Sequence, residues 1–132
     1  MAAEAHELEI GKVWLDADGV VHLRYAPGAY WTADAHVEWE ALIDQLRDGR
    51  PVCVLADMGV KGLSPEAKKL STAAEYEAKL AACAMFGSSV VGRLVMNLYL
   101  RVQRPSFPLQ AFATEAEAHA WLLRMRVEAK AS

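Results

Sequence analysis

The sequence, 132 residues long, predicts a single α/β domain in which an antiparallel hairpin leads into parallel strands. Three observations carry that prediction: an Asp-Gly turn between two alternating runs near the N-terminus, short continuous apolar runs of strand length further on, and amphipathic stretches of helical length between them. The expected order is β-β-α-β-α-β-α-β-α, with residues 1–132 forming one domain and a structured core over roughly 8–127.

Ile10–Asp16 and Val20–Tyr25 flank the turn Ala17-Asp18-Gly19, whose Asp and Gly tolerate the positive φ angles of a tight reversal. Alternation places Val13, Leu15, Val21, Leu23 and Tyr25 on one face of this hairpin. Lys12, Trp14, Asp16, His22 and Arg24 take the other. From Thr32 to about Asp48, Ala35, Trp39, Leu42, Ile43 and Leu46 recur at helical spacing, and Asp48-Gly49 supplies the stop. Val52–Ala56 is a continuous apolar run ending at Asp57, the pattern of a central strand covered on both faces. Ser64 and Pro65 suit the N-cap and first residue of a second helix reaching Leu80.

Ala82–Phe86 is the fourth strand, and Gly87-Ser88-Ser89 opens a third helix through Gln103. Its stripe of Val91, Leu94, Val95, Leu98 and Val102 is expected to face the core, which leaves Val90, Met96, Tyr99 and Leu100 as a second apolar face in need of cover. Arg104-Pro105-Ser106-Phe107-Pro108 breaks this helix, and Leu109–Ala113 forms the last strand. Thr114 and Glu117 have capping-box spacing at the start of a final helix that buries Ala118, Trp121, Leu122 and Met125. Parallel crossovers are right-handed, so strands in chain order would put every helix on one sheet face. The other face, with Lys12, Trp14, His22 and Arg24, would be bare or an interface.

Hydrophobic residues make up 54% of the chain and charged residues 23%, which suits a packed globule. Seventeen acidic against 14 basic side chains, a net charge of −3, argue against nucleic acid as the main partner. The N-terminal residues lack a signal-peptide pattern and no stretch has the length of a membrane span, so the expected location is cytoplasmic. Cys53 and Cys83 sit in strand-like runs outside any CxxC or Cys/His cluster and read as buried thiols. His6, His22, His36 and His119 include no pair at metal-ligand spacing on one helix face, so neither a metal nor a cofactor is expected. No nucleophile elbow, Walker loop, dinucleotide fingerprint or zinc-protease motif occurs, and no enzymatic activity is expected.

Asp57-Met58-Gly59-Val60 leaving the middle strand and Ser64-Pro65-Glu66-Ala67 opening the next helix resemble the STAS superfamily of anti-sigma-factor antagonist-like domains. The segment Asn97 through Leu122, with Arg104-Pro105, Phe107-Pro108, Phe112 and the Glu117-Ala118 to Trp121-Leu122 pairing, is similar to its bacterial STAS/SEC14-like branch. The resemblance implies a non-catalytic regulatory domain that binds a protein partner, in members of which a phosphorylated serine acts as a switch at the start of the helix after the middle strand. Here Pro65 and Glu66 stand where that serine and its neighbour would be. Ser64 is the remaining candidate for phosphorylation, beside its simpler reading as a helix cap.

Two candidate surfaces follow. Lys12, Trp14, His22 and Arg24, with Met96, Tyr99 and Leu100, offer interface anchors for a protein partner or a homodimer. Asp57, Gly59, Lys61, Gly62 and Ser64 after one strand, with Gly87, Ser88, Ser89 and Arg93 after the next, could bring two helix N-termini together around a small anionic ligand. The simpler reading of Asp57 is that it orders its loop by accepting backbone amides of Gly59 to Gly62. The leading functional expectation is a regulatory protein-binding module in bacterial signalling. The alternative is a carrier or sensor of a small anionic or lipid-like ligand, held at the C-terminal edge of the parallel strands or in a pocket under the third helix.

Overall fold

The computed structural model describes residues 4–87, 89–103 and 105–131, and the side chains of all of these except 99, 100, 103 and 127–131. Six strands lie side by side in chain order in one sheet: β1 (His6–Glu7), β2 (Gly11–Leu15), β3 (Val20–Tyr25), β4 (Val52–Asp57), β5 (Leu80–Phe86) and β6 (Leu109–Phe112). The first three pair antiparallel and β3 through β6 run parallel. The helices are α1 (Ala33–Leu46), α2 (Pro65–Ser71), α3 (Ala74–Glu77), α4 (Val90–Gln103) and α5 (Glu115–Ala131). Among the described residues no helix is long and apolar enough to cross a membrane.

Local chemistry places the turns where the sequence puts them. Asp16 Oδ1 accepts the amides of Asp18 (2.8 Å) and Val20 (3.0 Å), and Gly19 takes φ 82°, which closes the β2–β3 hairpin. At the start of β2 a Cβ on Gly11 would lie 2.2 Å from the Arg24 carbonyl oxygen, so only glycine lets the two strands approach there. Thr32 Oγ1 accepts the Ala35 amide and Ser64 Oγ the Ala67 amide, each at 3.1 Å, as N-caps of α1 and α2. Asp48 (φ 51°) and Gly49 (φ 74°) turn the chain out of α1.

Alternation along the strands feeds two cores. Val13, Val21, Leu23, Val52, Val54 and Ala56 pack under Trp39, Leu42 and Ile43 of α1 and Tyr76 of α3. On the other sheet face Val20, Cys53, Leu55, Ala82 and Ala84 pack under Ala118 and Leu122 of α5. A sheet with both faces covered requires strands apolar on both sides, which is what β4 and β5 are.

Three expectations change. The helix expected to reach Leu80 is two, because the Ser71 and Thr72 hydroxyls donate to the Lys68 carbonyl (3.1 and 2.8 Å) and end α2. The break lets α3 turn Tyr76 inward, and β5 starts at Leu80; β1 is an edge strand beyond those expected. Second, the helices do not share one face. The crossover rule governs helices between parallel strands, whereas α5 follows the last strand and is free to cover the opposite face across β4, β5 and β6. That face is therefore not bare, and His22 is only 8% exposed.

Third, α4 is turned the other way. Val90, Val91, Leu94, Val95, Leu98 and Val102 are 61–73% exposed, and the inward side carries Gly92, Arg93, Met96 and Asn97. Asn97 Oδ1 accepts the Ala111 amide of β6 (3.2 Å), a buried-edge demand that no residue of the apolar stripe can meet. The helix is amphipathic with its apolar stripe outward and Arg93 and Asn97 inward, so hydrophobic periodicity here marks the side turned away from the sheet.

Candidate functional site

Between the sheet and α1 to α4 lies a cavity of about 310 Å3. Tyr25 ends β3, Trp31 and Trp39 flank and enter α1, Tyr76 comes from α3, and Phe107 and Met96 close the side toward α4. The aromatic walls are braced edge to face: the Trp31 ring lies 6.1 Å from Tyr25 and 6.0 Å from Trp39. Trp31 Nε1 donates to the Tyr25 hydroxyl (3.2 Å) and Trp39 Nε1 to the Tyr76 hydroxyl (2.8 Å), so both indole N–H groups are satisfied within the wall. Burial pushes the Tyr25 phenol up to about 12 and raises that of Tyr76 as well, so each keeps its hydroxyl proton. Burial likewise raises the thiol of Cys83, which lines the cavity as an apolar group and not as a thiolate. Lys68 and Thr72 are exposed, Ser71 and Glu77 half-exposed, and together they form the polar part of the lining.

Behind this wall His36 is 3% exposed, stacked edge to face on Tyr76 (4.6 Å), with Nε2 3.2 Å from Glu40 Oε1. Glu40 in turn receives Lys79 Nζ at 2.6 Å. Burial lowers the pKa of His36 below 6.5; Glu40 opposes this and the charge of Lys79 adds to it. A histidine with a depressed native pKa binds its proton more readily when unfolded, so stability is full above pH 6.5 and falls as pH drops toward the native value. Urea midpoints should therefore decline below that pH, with a slope from this group of at most about 1.4 kcal/mol per pH unit. His36→Gln should flatten that limb, and an unchanged limb in the variant would assign the loss to other groups.

A second constellation sits on the α5 face. Asp16 Oδ2 lies 2.7 Å from His22 Nε2 and 3.0 Å from His119 Nε2, so one carboxylate oxygen stands between two imidazoles. Asp18 Oδ2 is 3.6 Å from His119 Nε2, and Glu115 Oε1 is 3.7 Å from His22 Nδ1. Trp14 stacks on the His22 ring at 4.9 Å and holds its plane. Burial opposes ionisation of Asp16, but hydrogen bonds from His22, the Val20 amide, His119 and the Asp18 amide together lower its pKa.

A family model described as "Domain of unknown function (DUF7793)" matches residues 13–126. The chain belongs to this family. No curated protein matches it. Among solved structures, the DUF7793 chain is similar to an uncharacterised protein of the DUF3478 family with a SpoIIAA-like fold from Shewanella loihica PV-4. The two share 14% identity over 92% of each chain, with a TM-score of 0.61. The fold is thus SpoIIAA-like, as the STAS resemblance implied, and a likeness at this identity speaks to fold alone.

In the DUF7793 domain the residues expected to cradle an anion are occupied with the backbone. Asp57 Oδ1 accepts the Tyr25 amide (2.8 Å) and Oδ2 the Gly59 amide (3.1 Å). The amides of Lys61 and Ser64 donate to the Ala29 and Trp31 carbonyls, and the Gly62 carbonyl accepts the Trp31 amide. Ser89 caps α4 by accepting the Gly92 amide (3.0 Å), and the Arg93 guanidinium donates to the Gly87 carbonyl. Ser88 lies outside the described residues.

Of the proposed interface anchors, Lys12 is exposed and paired with Glu7 at 3.7 Å. Arg24 spans Trp14 and Phe86 and pairs with Glu115 at 3.3 Å. His22 belongs to the carboxylate cluster, and Met96 lines the cavity. The side chains of Tyr99 and Leu100 lie outside the described residues. Neither the aromatic cavity wall nor the Asp16–His22–His119 group is among the sites expected from the sequence. The wall had a signal: Tyr25, Trp31, Trp39 and Tyr76 are four bulky aromatics on elements facing the same side of the sheet.

Proposed function

We propose that this DUF7793 chain is a non-catalytic binding module that carries a small apolar ligand with a polar end. The cavity is the observation that carries this reading. Its volume of about 310 Å3 falls at the lower bound of small-molecule sites, and its aromatic lining with few convergent polar groups is their usual composition. A guest would cover apolar wall otherwise facing water, and the Tyr25 and Tyr76 hydroxyls with Lys68 would orient its polar end. A long-chain carboxylate has this chemistry.

A second reading, a regulatory module acting through protein contact, is favoured by the exposed apolar stripe of α4. Native mass spectrometry of the purified chain, with titration of a fluorescent fatty-acid probe, separates the two. Ligand carriage predicts a monomer with added small-molecule mass, and probe affinity reduced at least about tenfold by Ala56→Phe, which fills the cavity. A chain that takes up no probe at micromolar concentration would overturn it. A dimer that dissociates on Leu94→Glu with Leu98→Glu would promote the second reading.

A further inference from the structure

We infer that Asp16, His22 and His119 form a site for a divalent transition-metal ion, zinc in chemical class, on the sheet face opposite the cavity. Among the described residues they are the one set of three or more His, Cys, Asp or Glu side chains whose ligand atoms all lie within 4.8 Å of one another. Two imidazole nitrogens and a carboxylate oxygen are ligands that zinc accepts, with water to complete a four-coordinate shell. Around a tetrahedral zinc the ligand atoms sit roughly 3.3 Å apart, given bonds of about 2.0–2.1 Å. Asp16 Oδ2 lies 2.7 Å from His22 Nε2 and 3.0 Å from His119 Nε2, and the three ligand atoms all lie within 4.8 Å of one another, so side-chain rotation has to open the two Asp16 contacts and set the imidazole pair to that spacing.

The surroundings are arranged as metal sites require. Asp16 Oδ1 is held by the Asp18 and Val20 amides, which leaves Oδ2 as the oxygen turned to the imidazoles. Without metal both Nε2 atoms donate to that oxygen and so carry the ring protons. Metal binding places each ring proton on Nδ1 and frees the Nε2 lone pairs, with no net proton released from neutral rings. His22 Nδ1–H then faces Glu115, the outer carboxylate that fixes the tautomer of a ligating histidine. A surface depression lined by Glu115, Ala116, His119, Ala120 and Leu123 borders His119 on the solvent side of α5.

The test is calorimetric titration of ZnCl2 into the metal-free full chain, beside His119→Gln and the control His6→Gln, with CoCl2 as a spectroscopic probe and MgCl2 as a hard-cation control. One equivalent of Zn2+ should bind the wild type and His6→Gln alike and raise their melting temperature. His119→Gln should bind at least about 100-fold more weakly, Mg2+ should not compete, and bound Co2+ should show intense tetrahedral d–d bands. If His119→Gln does not fold, Glu115→Gln takes its place, with an expected loss of about tenfold. Absence of saturable binding at one equivalent, or binding undiminished by these variants, would overturn the site. Either result leaves the ligand reading of the cavity untouched.

Discussion

Cutting Leu122 back to alanine should lower the unfolding free energy by about 3 kcal/mol. Leu122 is 0% exposed and fills the space between α5 and the second sheet face, in one cluster with Val20, Cys53, Leu55, Ala82 and Ala84 of the strands. Ala82 and Ala84 have no side chain to swing into a hole left by the isobutyl group, and β4 and β5 are each held by strand ladders on both sides. The cavity therefore persists, which puts the cost well inside the range of about 2–5 kcal/mol for such truncations. Against a total stability of about 5–15 kcal/mol this is a large fraction. Urea denaturation should show a lower midpoint with an unchanged slope. A loss below about 1 kcal/mol would mean that α5 is not anchored through Leu122.

Leu122 also shows where sequence reasoning succeeds and where it stops. Its burial with Ala118 was legible because the two are four apart on one helical stripe. Which sheet face receives that stripe was not, since among the described residues α5 does not connect two parallel strands, so no crossover fixes its hand. The hairpin, the caps Thr32 and Ser64 and the parallel order were legible because each rests on local chemistry or on a crossover. The orientation of α4 was not legible because its apolar stripe is the exposed side, and the residue that docks the polar side, Asn97, acts through a hydrogen bond and not through hydrophobicity.

The carboxylate–histidine group was hidden by distance along the chain: His119 and Asp16 are 103 residues apart and meet only because α5 crosses to that face. Two hints were present. His22 shares the strand face of Val20, and His119 adjoins Ala118 on the buried edge of its helix.

On the opposite face, Trp39→Ala should cost about 3–5 kcal/mol, because it removes a buried indole from the main core together with its bond to Tyr76. The hydrogen bond can be separated from the packing. Tyr76→Phe keeps the ring and leaves the Trp39 N–H buried without its acceptor, a loss of about 1–3 kcal/mol. Trp39→Phe keeps part of the packing and frees the Tyr76 hydroxyl, which borders the cavity and can pair with a water that enters it. The two single losses are thus unequal in kind, and the double variant should lose about 1 kcal/mol less than their sum. Strict additivity in urea denaturation would show that the bond contributes nothing beyond packing. The cycle also bears on binding: with Trp39→Phe the unpaired phenol gains freedom to turn to a guest's polar end. Probe affinity in that variant should therefore fall less than stability does, whereas Tyr76→Phe, which removes the hydroxyl, should weaken a carboxylate-bearing probe more than an alkane of the same length.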